Sequence, residues 1–150
     1  MANTVKSLVN NPKIIGSIDV TLLGLDITIY FIDEVLKFDG GDLLPIAVIP
    51  DKDIYNIFIT DYDSFIMVDP YVQFFVLCHE IGHIMNEGKF ENEEEDEAEA
   101  DKFAHKMLKD REISIDKSKV DTLFSYFEKV FNGTLSEERK MQHYKRFIVE

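Results

Sequence analysis

The sequence has little cysteine, no tryptophan and no long apolar run, and two of these shortages exclude whole classes of protein. The single cysteine, Cys78, leaves no possible intrachain disulfide, which suits a reducing cytosol and predicts a cytoplasmic protein. No segment approaches the ~18 consecutive apolar residues of a membrane helix, so we expect no membrane association. The segment Met1–Lys6 lacks the charged-then-apolar order of a signal peptide.

Basic residues are also scarce. Lys and Arg number 16 against 29 Asp and Glu, which gives a formal net charge of −13. Direct nucleic-acid binding usually needs a basic surface, so we expect none. An acidic surface can attract a basic protein, including a DNA-binding regulator, but it can equally serve solubility alone. The charge leaves both interpretations open.

The 150 residues hold enough apolar material, 45% of the chain, for one domain over residues 1–150. Short β-branched segments fill the first half and helical periodicity fills the second, which predicts an α+β fold. We expect an antiparallel-rich N-terminal sheet packed on the helix predicted at Pro70–Asn86 and followed by further helices. The predicted strands are Ile14–Ile18, Thr21–Ile32, Leu44–Ile49, Ile54–Thr60 and Phe65–Val68. Four helices are predicted: Pro70–Asn86, one that contains Glu97–Leu108, Lys117–Phe131, and a last one around Met141–Ile148. A helix or arm is predicted at Val5–Val9, and a turn at Asp39–Asp42.

The most informative segment is His79-Glu80-Ile81-Gly82-His83, an H-E-x-x-H pattern. Positions i and i+4 are neighbours on one face of a helix, so both imidazoles can reach one metal ion. Glu80 lies about 100° round the helix and can approach a metal-bound water from the side. The apolar residues before the motif predict a buried helix, in which unpaired polar groups would be unfavourable. The pattern therefore predicts a zinc site with Glu80 as its catalytic base.

A catalytic zinc ion needs a third protein ligand. Glu97 and Asp101 lie one turn apart on the next predicted helix, so Glu97 can bind the metal while Asp101 accepts the ring N–H of a ligand histidine. Glu99 is the rival ligand, but it points to nearly the opposite side of that helix. The register against the apolar residues Ala100 and Phe103 favours Glu97.

The block Phe65–Leu108 resembles the ImmA/IrrE family of small zinc metallopeptidases. The resemblance rests on the segment Phe74–His83 and on Glu97–Leu108, which is close to the family pattern E-x-E-A-(N/D)-x-F-A-x-x-L-L. It implies a gluzincin-like enzyme with a zincin-like fold, one zinc ion per chain and the ligands and base named above. A weaker similarity to HtpX-type metallopeptidases lies in E-x-x-A-D and in Ser136–Arg139, but those enzymes have transmembrane helices.

The resemblance implies cleavage of a protein or peptide substrate, such as a repressor of a phage or mobile element. The alternative is a metal-stabilised zincin-fold module that regulates a protein partner without proteolysis. In zincins an extended substrate pairs with a sheet edge. Here Ile57–Thr60 or Phe65–Val68 could be that edge, and either could instead be internal.

Hydrolysis also needs a donor to the developing oxyanion, and no residue is assigned to this role. The candidates are Arg139, His143, Tyr144 and Tyr126, each of which is more often a surface or packing residue. His105 can be a half-exposed histidine or a neighbour of a ligand, and Cys78 is expected to pack in the core.

Purified protein should hold about one zinc ion per chain, because the motifs supply one complete three-ligand site. His79→Ala and His83→Ala should each abolish most binding, and Glu97→Gln should weaken it, as measured by metal analysis after dialysis. Glu99→Gln is the matched control and should be nearly silent. Full zinc retention in both histidine variants would refute the assignment.

Overall fold

The computed structural model describes residues 13–22, 24–37, 43–51 and 54–148, so the helix or arm predicted at Val5–Val9 and the turn predicted at Asp39–Asp42 lie outside the described residues. The chain divides into two compact units. Of the described residues, those from 13 to 67 and 129–132 form the sheet unit, and 68–128 and 133–148 form the helical unit. The prediction of one domain with its sheet packed on the metal-binding helix stays a prediction.

The sheet unit contains six described strands and one short helix. The strands are β1 (Ile14–Leu22), β2 (Leu25–Ile32), β3 (Leu36–Lys37), β4 (Leu43–Leu44), β5 (Ile46–Asp51) and β6 (Ile54–Ile59), and the helix is α1 (Tyr62–Phe65). Four strands form a mixed sheet in the order β1-β2-β6-β5, in which only the β2–β6 pair is parallel. The α+β class predicted from the sequence is confirmed.

The alternating isoleucines of the two central strands explain the sheet's buried face. Ile29 lies opposite Ile57 in the parallel register, and both side chains are buried, as are Ile27 and Ile59. Side chains two residues apart point to the same face of a strand, so these four share one face. On the other face the ring of Tyr30 stacks on that of Phe58, with centroids 4.9 Å apart.

Neither segment considered for the sheet's edge lies at an edge of the four-stranded sheet. The strand predicted at Phe65–Val68 is wrong, because Phe65 ends α1, whose start is fixed by hydrogen bonds from the amides of Ser64 and Phe65 to the carbonyl of Asp61. The turn chemistry of Asp61 and Ser64 prevails there over the β-propensity of the apolar residues that follow. For Ile57–Thr60 the internal alternative is confirmed, since its strand residues lie in β6, between β2 and β5. Of the four described strands of this sheet, β1 and β5 form the edges.

The helical unit is built from α2 (Pro70–Met85), α3 (Glu93–Asp110), α4 (Lys117–Phe131, of which the last three residues belong to the sheet unit) and α5 (Glu137–Phe147). Among the described residues, no helix is both long enough and apolar enough to cross a bilayer. Asp69 caps α2 by accepting a hydrogen bond from the amide of Tyr71 at 2.9 Å, with Pro70 in the first turn. Asn92 and Ser136 cap α3 and α5 in the same way.

Gly82 and Ala100 set the separation of α2 and α3. A Cβ atom on Gly82 would lie 3.0 Å from the Cα of Ala100 and 3.3 Å from its carbonyl oxygen, closer than ordinary van der Waals contact. Ala100 is fully buried. Two small residues therefore let the helix backbones approach closely, and the side chains on either side of this contact meet across the interface.

Gly82→Ala should weaken zinc binding by about tenfold, because the added methyl group pushes α3 and its carboxylates away from α2. The free energy of unfolding should change little, since alanine gains about 1 kcal/mol of helix propensity over glycine, which offsets the steric overlap. Zinc affinity by chelator competition and stability by urea unfolding of the metal-free protein would separate the two effects.

Gly88→Ala is the matched control. Gly88 has a φ of +77° and no neighbour within 4 Å of an added Cβ, so alanine there should strain the backbone without moving α3. It should lose stability and keep its zinc affinity. An unchanged zinc affinity in Gly82→Ala would show that the close approach does not position the ligands.

Candidate metal centre

Three predicted ligands converge between α2 and α3. His79 Nε2 lies 2.9 Å from His83 Nε2, and the two oxygens of Glu97 lie 3.1 Å from these nitrogens, one each. One ligand atom from each residue falls within 4.8 Å of the others. The edges of a tetrahedral zinc site are roughly 3.3 Å for bonds of about 2.0–2.1 Å, so small side-chain rotations would bring these atoms to ligand spacing.

Each histidine is held by a carboxylate on its other ring nitrogen. His79 Nδ1 lies 2.8 Å from Asp101 Oδ1, the partner predicted from the sequence. His83 Nδ1 lies 3.1 Å from Asp96 Oδ2, a contact that the sequence did not predict. A carboxylate only accepts hydrogen bonds, so in both neutral rings Nδ1 carries the hydrogen and Nε2 presents its lone pair.

This arrangement fits a bound cation. With both Nδ1 atoms donating outward, two Nε2 lone pairs and a carboxylate face one another at 2.9–3.1 Å. Such a set of acceptors repels unless a proton or a metal ion lies among them. Within the described residues Asp96 Oδ1 is also buried without a hydrogen-bond partner, which adds negative potential beside the centre. Two imidazoles and one carboxylate suit zinc.

The pKa values of the three residues also show that this group of side chains favours a positive charge. The hydrogen bond to Glu97 is the main cause that raises the pKa of His83 to about 9. Burial lowers the pKa of His79, but hydrogen bonds to Asp101 and Glu97 outweigh burial and leave it above its usual value. The two histidines hold the pKa of Glu97 well below its ordinary range. Without metal, protons occupy the place that the ion would take.

Glu80 lies on α2 directly after His79 and is not one of the three converging residues. Burial raises the pKa of its carboxyl group, and the neighbouring His79 and His83 partly oppose that rise. A raised pKa makes this carboxylate a stronger base than an ordinary glutamate, which suits a group that takes and returns a proton.

Other candidate residues lie outside this group. Glu99 forms an ion pair with Lys102 at 3.1 Å, so α3 has the register that turns Glu97 toward the histidines. His105 Nε2 donates to the carbonyl oxygen of Arg146 at 2.8 Å, and its ring packs edge-on against Phe75. Burial raises the pKa of the Cys78 thiol to about 11, so this residue is a packed thiol rather than a thiolate ligand.

The candidates for the oxyanion donor have other contacts. The hydroxyl of Tyr144 donates to Asp121, and Tyr126 is almost fully buried. His143 packs against aromatic rings, and burial lowers its pKa. Within the part of the chain that the structure describes, no contact of the Arg139 side chain places it at the centre. The role stays unassigned.

Sequence reasoning missed two residues of the centre. Asp96 is one of eight acidic residues between Glu91 and Asp101, so nothing in the sequence singles it out. Arg146 Nε donates to Asp101 Oδ1 at 2.9 Å, although 45 residues separate them. Its link to the H-E-x-x-H helix exists only in the tertiary structure.

No protein-family model matches the chain, and comparisons with curated proteins and with solved structures find no match either.

The apparent affinity for zinc should rise about tenfold from pH 7 to pH 8 and level off above about pH 9. Below its pKa of about 9, His83 holds a proton that the metal must displace. The carboxyl group of Glu97 is ionised throughout this window, since its pKa is lowered, and adds no pH dependence. Chelator competition at several pH values would measure the slope.

Calorimetry in two buffers of different protonation enthalpy should show release of at least one proton per zinc ion at pH 7. Glu99→Gln should keep the same slope, because Glu99 lies outside the centre. A flat affinity between pH 7 and 8 would contradict the protonated state inferred for His83.

Proposed function

We propose that the protein is a zinc-dependent metallopeptidase of the gluzincin type, with the ImmA/IrrE family as the relative that its motifs resemble. The observation that carries the proposal is the convergence of His79, His83 and Glu97 beside Glu80. A purely structural zinc site is closed by four protein ligands, whereas three leave a position for water. In the described residues the group contains three, and the adjacent carboxylate supplies a base.

A bound zinc ion would polarise the substrate carbonyl and lower the pKa of water towards ~7. His79, His83 and Glu97 would hold the ion, and Asp101 and Asp96 keep both imidazoles in the tautomer with a free Nε2 lone pair. A carboxylate oxygen of Glu80 takes the proton of the attacking water. It then delivers that proton to the nitrogen of the leaving amine.

The charge of the centre's surroundings supports a basic protein or peptide as substrate. Glu93, Glu94 and Glu95 are exposed in the first turn of α3, directly before Asp96 and Glu97. Carboxylates beside a reaction centre attract cationic segments and raise their local concentration. A regulatory protein that binds nucleic acid is the kind of basic partner that this surface would favour.

Glu80→Gln should abolish peptide cleavage while zinc content and folding stay at wild-type levels. The amide keeps the size of the side chain but cannot accept the water's proton, and general-base catalysis contributes about 10²–10⁴-fold. Cleavage would be measured on a fluorogenic peptide library rich in Lys and Arg, at saturating zinc. Zinc analysis of the same samples shows whether the site stays loaded.

Glu99→Gln is the matched control, since it removes one carboxylate from α3 outside the centre and should cleave normally. Equal cellular function of Glu80→Gln and wild type would refute the peptidase and favour the non-proteolytic binding module. The substrate protein should accumulate uncleaved in cells that carry the Glu80→Gln variant.

A further inference from the structure

Arg146, near the end of α5, is joined to the metal centre through Asp101. Its Nε–H donates to Asp101 Oδ1 at 2.9 Å, and the same oxygen accepts from His79 Nδ1 at 2.8 Å. One carboxylate oxygen therefore takes two hydrogen bonds, one from a ligand histidine and one from α5. The position of that oxygen is fixed from both sides.

Several further contacts hold Arg146 in place. Its carbonyl oxygen accepts from His105 Nε2 at 2.8 Å, which ties the backbone of α5 to α3. Its guanidinium carbon lies 5.7 Å from the ring centre of Phe75 on α2 and 5.1 Å from that of Phe147. Contacts of this kind favour a fixed guanidinium over a mobile surface side chain.

We propose that Arg146 is a positioning residue for the metal centre, which holds Asp101 where it orients His79 and so couples the docking of α5 to zinc affinity. The proposal rests on the zinc site of the proposed function but not on peptide cleavage. Binding is reciprocal under such coupling: if docked α5 strengthens zinc binding, bound zinc strengthens the docking of α5.

Two effects of Arg146 on zinc oppose each other. Its positive charge repels a dication, whereas its hydrogen bond fixes the partner of a ligand. The guanidinium is partly exposed, with about a quarter of its side-chain surface accessible, so solvent screens the charge. The hydrogen-bond geometry is not screened in this way. The positioning effect therefore dominates, and removal of Arg146 should weaken zinc binding.

The test is the zinc dissociation constant of full-length variants, measured by chelator competition at constant pH and salt. Arg146→Gln should weaken binding by about 3–10-fold, somewhat below the effect of losing a direct partner of a ligand. Arg146→Lys keeps the charge but not the planar guanidinium and should lose part of the affinity. Lys145→Gln removes the same charge one residue away and should bind as wild type does.

A double-mutant cycle shows whether Arg146 acts through Asp101. In an Asp101→Ala background, Arg146→Gln should cost no further affinity, within about twofold. Zinc binding in Arg146→Gln that equals or exceeds wild type would overturn the proposal, and so would losses that multiply in the double variant. Either result would leave Arg146 as a packing residue of α5.

The wild-type protein offers a readout that does not depend on variants that fold. The Arg146 Nε–H signal in an ¹H–¹⁵N spectrum should shift as zinc is added and stop shifting at one equivalent. A signal unmoved by bound zinc would also overturn the coupling. If zinc binds and peptides stay uncleaved, the peptidase proposal fails and the role of Arg146 stands; if zinc does not bind, both fail.

Discussion

The close approach of α2 and α3 at Gly82 and Ala100 is the constraint on which the candidate metal centre depends. The ligand histidines stand on one side of this contact and their carboxylate partners on the other. Glu97 and Asp101 flank Ala100 along α3, so any increase in the helix separation moves both at once. Glycine inside a helix costs about 1 kcal/mol relative to alanine. Gly82 has this lower helix propensity, but its missing side chain permits the helix separation at which the acidic side chains of α3 reach the histidines.

The part of the centre that could be predicted is the part that helical periodicity determines. Spacings of four residues place His79 with His83 and Glu97 with Asp101, and two residues turn Glu99 away. Asp96 escaped prediction because a run of acidic residues offers many equivalent carboxylates. Arg146 could not be predicted because it is 45 residues from Asp101 in the sequence, and no short sequence pattern indicates a contact between such distant residues. The α+β class and the strand residues of β2 and β6 followed from alternation. The single strand expected at Thr21–Ile32 is wrong, because Thr21 and Leu22 end β1 and Leu25–Ile32 forms β2, and the strand expected at Phe65–Val68 is wrong because α1 ends there.

The centre concentrates negative charge around a place for a positive one. Glu80, Asp96, Glu97 and Asp101 lie within one pair of helices, and of these Asp101 shares an oxygen with Arg146. Mutual repulsion of such carboxylates is unfavourable in a protein with a net charge of −13. Protons on the histidines relieve it in the absence of metal, and a dication would relieve it more fully. The carboxylates around the centre are therefore also the groups that raise the pKa values of His79 and His83.

The short connection between α2 and α3 has a consequence for how the protein folds. Only residues 86–92 link the two helices that carry every converging ligand and both of their carboxylate partners. Closing so small a loop costs little chain entropy, so this helical hairpin can form before contacts between distant segments. Metal capture would then accompany the early stages of folding, and zinc supplied during synthesis would act on a nascent hairpin. α5, which follows both helices in the chain, would then pack on a centre that is already assembled.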